Sequence, residues 1–180
     1  EEEIAEREGI INFTNKDLTR FLIKLSPLVD GKNEKRIGAY FHVLNDLERI
    51  GDHAENFGEI ASEMQSKNLA FSSVATEELQ TMQEKVLQMF AIAVETFDNV
   101  KASRLGELTA LENEVDGLKR TLTANHYARL AEGNCAIEIS PYFSSTVAGL
   151  ERVADHLVNV GYSILNPTGS QSEAKNAVKA

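Results

Sequence analysis

Leu47-Glu48-Arg49-Ile50-Gly51-Asp52-His53-Ala54-Glu55-Asn56-Phe57-Gly58 decides the fold, because it returns as Leu150-Glu151-Arg152-Val153-Ala154-Asp155-His156-Leu157-Val158-Asn159-Val160-Gly161. Seven of the twelve positions are identical at a constant offset of 103 residues. Two copies in 180 residues define a duplicated unit and not a solenoid, which needs about three or more stacked repeats to bury a continuous core. The repeat also extends outward. Glu8-Gly9-Ile10-Ile11-Asn12, ahead of Leu18 and Phe21, holds the place of Glu112-Asn113-Glu114-Val115-Asp116 ahead of Leu122, at an offset of 104. Each half is therefore a helical hairpin whose arms carry an acidic-x-x-x-acidic or acidic-x-x-x-amide pair.

The spacing around these motifs predicts an all-α protein, in keeping with few prolines and many good helix formers. A first helix runs from Glu3 to Ser26-Pro27, where proline disfavours a helical residue before it. Asp30-Gly31-Lys32-Asn33 has turn chemistry, and a second helix spans Lys35 to Lys67. After a linker around Lys67 to Ser73, a third helix begins near Val74 or Thr76, with Thr76 as cap, and reaches Lys101. The fourth starts near Leu105 and ends before Glu132-Gly133-Asn134; the fifth runs from Ile137 through Pro141 to Leu165. Residues 166–180 read as a frayed tail. This gives residues 1–70 as an incomplete first bundle and 74–165 as a complete three-helix bundle. The second hairpin is preceded by an extra helix, residues 76–101. The first half's equivalent would lie upstream of Glu1, so the chain reads as a piece of something longer. An apolar groove is expected in its place, open to a partner chain, a swapped helix or a second copy in a homodimer.

Bulk composition narrows the classes. A content of 42% hydrophobic and 26% charged residues supports a folded core. The net charge of −10, without any run of basic residues, argues against a nucleic-acid partner. The apolar window near Met89 to Val94 is broken by Glu95 and Asp98, far short of the roughly 20 residues that cross a bilayer. One cysteine, Cys135, excludes an internal disulfide and reads as structural.

On a helix, Glu48 and Asp52 lie about 40° apart, with Asn56 about 40° further on. Leu47, Ile50, Ala54, Phe57 and Ala61 centre on nearly the opposite side, so the acidic stripe points away from its own core. Glu151, Asp155 and Asn159 repeat it. Stacked carboxylates repel by roughly 0.2–0.5 kcal/mol per pair, which Arg49, Arg152 or a bound cation could offset. A solvated acidic face is the plain alternative, and the duplication brings the two readings to even weight. His53 and His156 fall between stripe and core, as hydrogen-bonding neighbours more than ligands. His42 and His126 have no comparable setting, and Tyr40, Phe41, Phe57 and Phe143 read as core or groove filling. The chain has no Gly-rich phosphate loop, no Gly-x-Ser-x-Gly elbow, no Cys-x-x-Cys pair and no Glu-x-x-His pair, so an enzyme is not expected.

With Leu-Glu-Arg-Ile-Gly-Asp-His-Ala-Glu-Asn at 47–56 and Leu-Glu-Arg-Val-Ala-Asp-His-Leu-Val-Asn at 150–159, the chain resembles the PhoU family of phosphate-homeostasis regulators. The resemblance implies tandem three-helix bundles. It also implies acidic motifs that in some relatives hold iron or other metals, with manganese and zinc as the alternatives to iron here. Carried onto this sequence, the candidate ligands are Glu48, Asp52, Glu151, Asp155, Glu112, Asp116 and Glu8; Asn12 replaces the acid expected beside Glu8. The family includes free regulators of phosphate ABC transporters and the C-terminal domains of bacterial sodium/phosphate cotransporters. The expectation drawn is the second form: a non-enzymatic regulatory domain, cytoplasmic and tethered to the inner face of the membrane through the membrane part of the transporter. The competing expectation is a metal-free scaffold that recruits a sensor kinase or self-associates.

Overall fold

A computed structural model describes residues 2–99 and 102–163. Within them the chain forms α1 (Glu2–Leu25), α2 (Gly31–Ser66), α3 (Ser73–Asn99), α4 (Leu105–Ala131) and α5 (Ser140–Ser163), joined by 3-10 turns at Ser26–Leu28, Ala102–Arg104 and Ile137–Ile139. No strand occurs among the described residues. The expected all-α class holds. Lys101, Leu165 and the tail expected at 166–180 lie outside the described residues.

Local chemistry sets the helix ends, in two places differently from expectation. Asp30-Gly31-Lys32-Asn33 is not a free turn. Asp30 holds extended backbone as the cap of α2, and Asn33 Nδ2 donates to Asp30 Oδ1 at 3.1 Å. No side chain caps α2; the Asp30 carbonyl accepts from Glu34 N at 2.9 Å, and that backbone bond draws the polar segment into the first helical turn. Likewise α3 is capped by Ser72, whose Oγ accepts from Ala75 N at 3.3 Å, while Thr76 lies inside the helix and donates to Ser72 O at 3.0 Å. Two helices end in one geometry. Asn68 (φ 52°) follows α2 and Gly133 (φ 73°) follows α4. Leu69 N then donates to Met64 O at 2.8 Å, and Asn134 N to Arg129 O at 2.8 Å. These bonds satisfy helix-end carbonyls through a left-handed residue.

Helices α3, α4 and α5 pack on one another, α2 packs along α5, and α1 packs on α2. Helix α5 is central. Its Phe143, Val147, Leu157 and Val158 are buried, together with Met82, Met89 and Ile92 of α3 and Leu108 and Val115 of α4. The duplication is visible atom by atom. A Cβ added at Gly58 would lie 3.0 Å from Ile4 Cδ1, and one added at Gly161 would lie 2.6 Å from Leu108 Cδ2. Ile4 and Leu108 are 104 apart and Gly58 and Gly161 are 103 apart, so the two hairpins close on the same glycine contact.

The hairpins differ in what covers their outer arm. Glu114 of α4 pairs with Lys85 of α3 at 2.8 Å, and Asn125 donates to Glu78 of α3 at 2.7 Å. The equivalent positions on α1 are Ile10 and Phe21, which are 59% and 58% exposed, and Phe13 beside them is 72% exposed. No helix of the described residues is long and apolar enough to cross a membrane.

Candidate functional site

The two repeat motifs meet where α2 crosses α5 antiparallel, with the His53 and His156 rings 6.0 Å apart. On one side of that pair Asp46, only 7% exposed, takes two hydrogen bonds at Oδ1. They come from the His156 imidazole at Nδ1, 2.8 Å away, and Asn159 Nδ2, 3.2 Å away. Asp46 therefore ties the halves together through a carboxylate withdrawn from water, where charge-assisted bonds are strongest. On the other side lies a cavity of about 410 Å³ bordered by His53, Asn56, Ser145, Gly149 and Arg152. Burial, then the neighbouring His156 and the Arg152 guanidinium, hold the His53 pKa below the ordinary imidazole value. His53 is therefore uncharged near neutrality.

A second concavity, about 540 Å³, runs along α4 and α5 and is lined by Asp116, Lys119, Arg120, Thr123, Tyr127 and Glu151. Lys119 Nζ lies 2.9 Å from Glu151 Oε1. Of the residues singled out by their spacing, Asp116 and Glu151 come together here. Glu112, one turn earlier on α4, is buried at 7% exposure, and Asp155 is half-buried. Glu8, Glu48 and Asp52 belong to the α1/α2 hairpin; all three are half-buried, and Glu8 Oε1 accepts from Asn12 Nδ2. On α5 the stripe stays outside the core, with Leu150, Val153, Ala154 and Leu157 buried behind it; on α2 the expected orientation does not hold, because Glu48 and Asp52 are half-buried along the α1 contact while Leu47, Ala54 and Ala61, expected on the core face, are exposed. Among the described residues no group of three or more His, Cys, Asp and Glu side chains is placed to hold a metal ion. The cation that offsets Glu151 in this geometry is Lys119.

Two polar features escaped the sequence. Asp46 lies outside the identical positions of the repeat, and only the crossing of α5 brings it to His156 and Asn159. His126, 2% exposed, stacks on Phe143 with centroids 4.6 Å apart and shares a 2.9 Å hydrogen bond between Nε2 and Ser140 Oγ. Burial, aided by Arg129, lowers its pKa. A helical wheel of α4 would have placed His126 on the line of Leu108, Val115 and Leu122, which was the available signal.

Fold and site together define a class: an all-helical protein made from a duplicated hairpin, with an acidic repeat on each inner helix and a polar junction between the copies. The PhoU domain pattern matches residues 2–61 and 79–164. The chain belongs to the PhoU domain family. It is similar to the phosphate-specific transport system accessory protein PhoU homolog 1 of Thermotoga maritima, with 23% identity over 161 residues, 87% of this chain and 68% of that protein. A phosphate-specific transport system accessory protein PhoU homolog of Clostridium acetobutylicum is 23% identical over 163 residues, 88% of this chain and 73% of its own length.

Proposed function

We propose that this chain is a non-enzymatic regulator of phosphate transport, acting by docking to a transport system. The observation that supports this most is the PhoU match to both halves, including both arms of each hairpin. The names of the two relatives favour a free accessory protein of a phosphate ABC transporter over the C-terminal domain of a sodium/phosphate cotransporter. Docking would take place on the cytoplasmic side of the membrane. The chain offers two kinds of surface for it: the mixed-charge α4/α5 groove, with Lys119 and Arg120 against Asp116 and Glu151, and the exposed apolar residues of α1. Charge of both signs on one face sets orientation and partner choice more than raw affinity. Self-association into a homodimer through α1 is part of the same proposal.

The test is co-sedimentation with membrane vesicles that carry either the phosphate ABC transporter or a sodium/phosphate cotransporter, each against vesicles lacking transporter. Salt-sensitive binding to the ABC vesicles, weakened by reversing Lys119 and Arg120 to Glu, is the expected result. Binding to the cotransporter vesicles alone would return the reading to a cotransporter domain. Binding to neither would refute the proposal.

A further inference from the structure

The two halves match in sequence but not in what covers them. At offsets of 104 for the outer arm and 103 for the inner arm, Leu18 of α1 aligns with Leu122 of α4, and Leu47 and Ala54 of α2 align with Leu150 and Leu157 of α5. Leu122 is 2% exposed and Leu18 is 42%; Leu150 is 8% exposed and Leu47 is 39%. Leu157 is buried, whereas Ala54 is exposed. The buried members belong to the core that α3 closes with Met82, Val86 and Met89. Helix α3 runs antiparallel to α4, since Lys85 meets Glu114 and Glu78 meets Asn125. Transferred to the first half, the open place on α1 and α2 takes a helix antiparallel to α1.

The charge pattern of the first hairpin selects that helix. On α1, residues 3, 6, 10, 13, 17, 20 and 24 are all exposed and recur at alternating steps of three and four, the spacing of a two-helix seam. Ile10 and Phe13 form its apolar middle, Glu3 and Glu6 lie toward the N-terminal end, and Asp17, Arg20 and Lys24 lie toward the C-terminal end. Helix α2 extends the same polarity because it runs antiparallel to α1, with Gly58 beside Ile4 and Gly51 beside Ile11. Glu55 and Glu59 of α2 line one hollow with Glu2. At the other end Lys35 and Arg36 are exposed, with Glu34 before them. The hairpin is thus acidic at one end, basic at the other and apolar between. Such a surface complements a copy of itself turned end for end and repels a copy laid in the same direction.

We propose that α1 of a second copy of this chain fills the open place, antiparallel to the first α1, so that two α1/α2 hairpins join in a four-helix bundle about a two-fold axis near Phe13. The axis brings Ile10 and Phe13 of the two copies together and sets Glu3 and Glu6 of each against Arg20 and Lys24 of the other. Each copy then supplies the third helix that the other's hairpin lacks. Arg7 shares Glu3 at 2.8 Å, which leaves Glu6 with Arg20 as the principal cross pair. Asp17 opposes the pattern and is flanked by Lys16 on the same helix. The exposed charges set direction and register, and the apolar middle supplies most of the affinity. The proposal rests on self-association through α1 and gives it a direction and a register; docking to a transporter does not depend on it.

Sedimentation equilibrium of the full chain from about 1 to 200 μM reads the assembly. A monomer–dimer equilibrium is expected, weakened by added salt. Phe13→Lys, at an exposed position outside the core, should weaken it about tenfold or more. Glu3→Lys with Glu6→Lys should weaken it by about tenfold, and adding Arg20→Glu with Lys24→Glu should return it to within about threefold of the unaltered chain. Mixed with the unaltered chain, that four-site variant should form few mixed dimers, because end-for-end pairing sets like charges together. Leu87→Lys with Phe90→Lys, on the exposed stripe of α3, should change nothing. A monomer throughout overturns the proposal together with self-association through α1, as does a dimer that survives Phe13→Lys or is lost in the α3 variant. A dimer that Phe13→Lys breaks, but that the four-site variant fails to restore or mixes with freely, overturns the end-for-end bundle and leaves self-association through α1 standing.

Discussion

Replacing Asp46 by Ala should cost more stability than replacing any carboxylate of the two acidic stripes. Asp46 is 7% exposed, and its Oδ1 accepts from His156 Nδ1 at 2.8 Å and from Asn159 Nδ2 at 3.2 Å. A hydrogen bond to a charged group contributes roughly 1.5–3 kcal/mol, and a buried donor left without its acceptor loses about 1–3 kcal/mol. His156 is the shorter bond and dominates, while Asn159 keeps other interactions, so the expected total is about 2–4 kcal/mol. At roughly 2–4 °C per kcal/mol for a chain of this size, Tm should fall by about 4–16 °C. Asp46→Asn, which keeps one carbonyl acceptor without the charge, should lose about half as much. Urea unfolding of Asp46→Ala, His156→Ala and the double variant provides the cycle, with a coupling of about 1–3 kcal/mol expected. A loss below about 0.5 kcal/mol for Asp46→Ala, or strict additivity in the cycle, would show that the junction is not held by this carboxylate.

The remaining predictions concern glycines, acid, the stripes and metal. Gly161→Ala should lower the urea midpoint, because the added methyl meets the fully buried Leu108 at 2.6 Å and overpacking costs about 1–3 kcal/mol against about 1 kcal/mol of helix propensity. Gly117→Ala, with nothing within 4 Å of the added Cβ, should raise the midpoint, and equal effects at the two sites would refute the packing account. Folded His53 and His126 both have lowered pKa values, so the unfolded chain takes up their protons first. Stability is therefore full above the ordinary histidine value of 6.5 and falls as pH drops through it, which urea midpoints between pH 7.5 and 5.5 would show. His126→Gln should reduce that slope. Glu48→Ala with Asp52→Ala should shift Tm by no more than a few degrees, since both residues are only half-buried, and a collapse of the fold would place them in the core after all. Metal loading of Glu112, Asp116, Glu151 and Asp155 is a proposal that requires Lys119 to release Glu151. Lys119→Ala should then raise the iron, manganese or zinc content measured by elemental analysis, and an unchanged metal-free preparation would count against it.

Much of the architecture was legible because a repeat of helical spacing leaves little freedom. The ends of α4 at Leu105 and Ala131 follow from the last apolar residue and from Gly133, whose positive φ suits a helix stop. The starts of α2 and α3 were harder. At α3 the Ser72 Oγ accepts from Ala75 N, and at α2 the first turn closes on the Asp30 carbonyl beside an Asn33–Asp30 side-chain pair, and composition marks such residues equally as turn formers. The site was legible only in part. Spacing placed Glu151 and Asp155 on one stripe and Asp116 on the neighbouring helix, and the groove joins Asp116 to Glu151. It could not show that Lys119 would engage Glu151.

The sequence by itself determined the class, the duplicated hairpins and the helices that carry each motif, because periodicity and breakers act within a few residues of one another. Tertiary structure alone decided what the motifs meet. Residues 46 and 156, or 57 and 149, come together only through the antiparallel crossing of α2 on α5, and no local rule sets that crossing's register. It is the register that gives His156 a buried carboxylate and leaves His53 facing Gly149 across a cavity, so two nearly identical motifs end in different chemical surroundings.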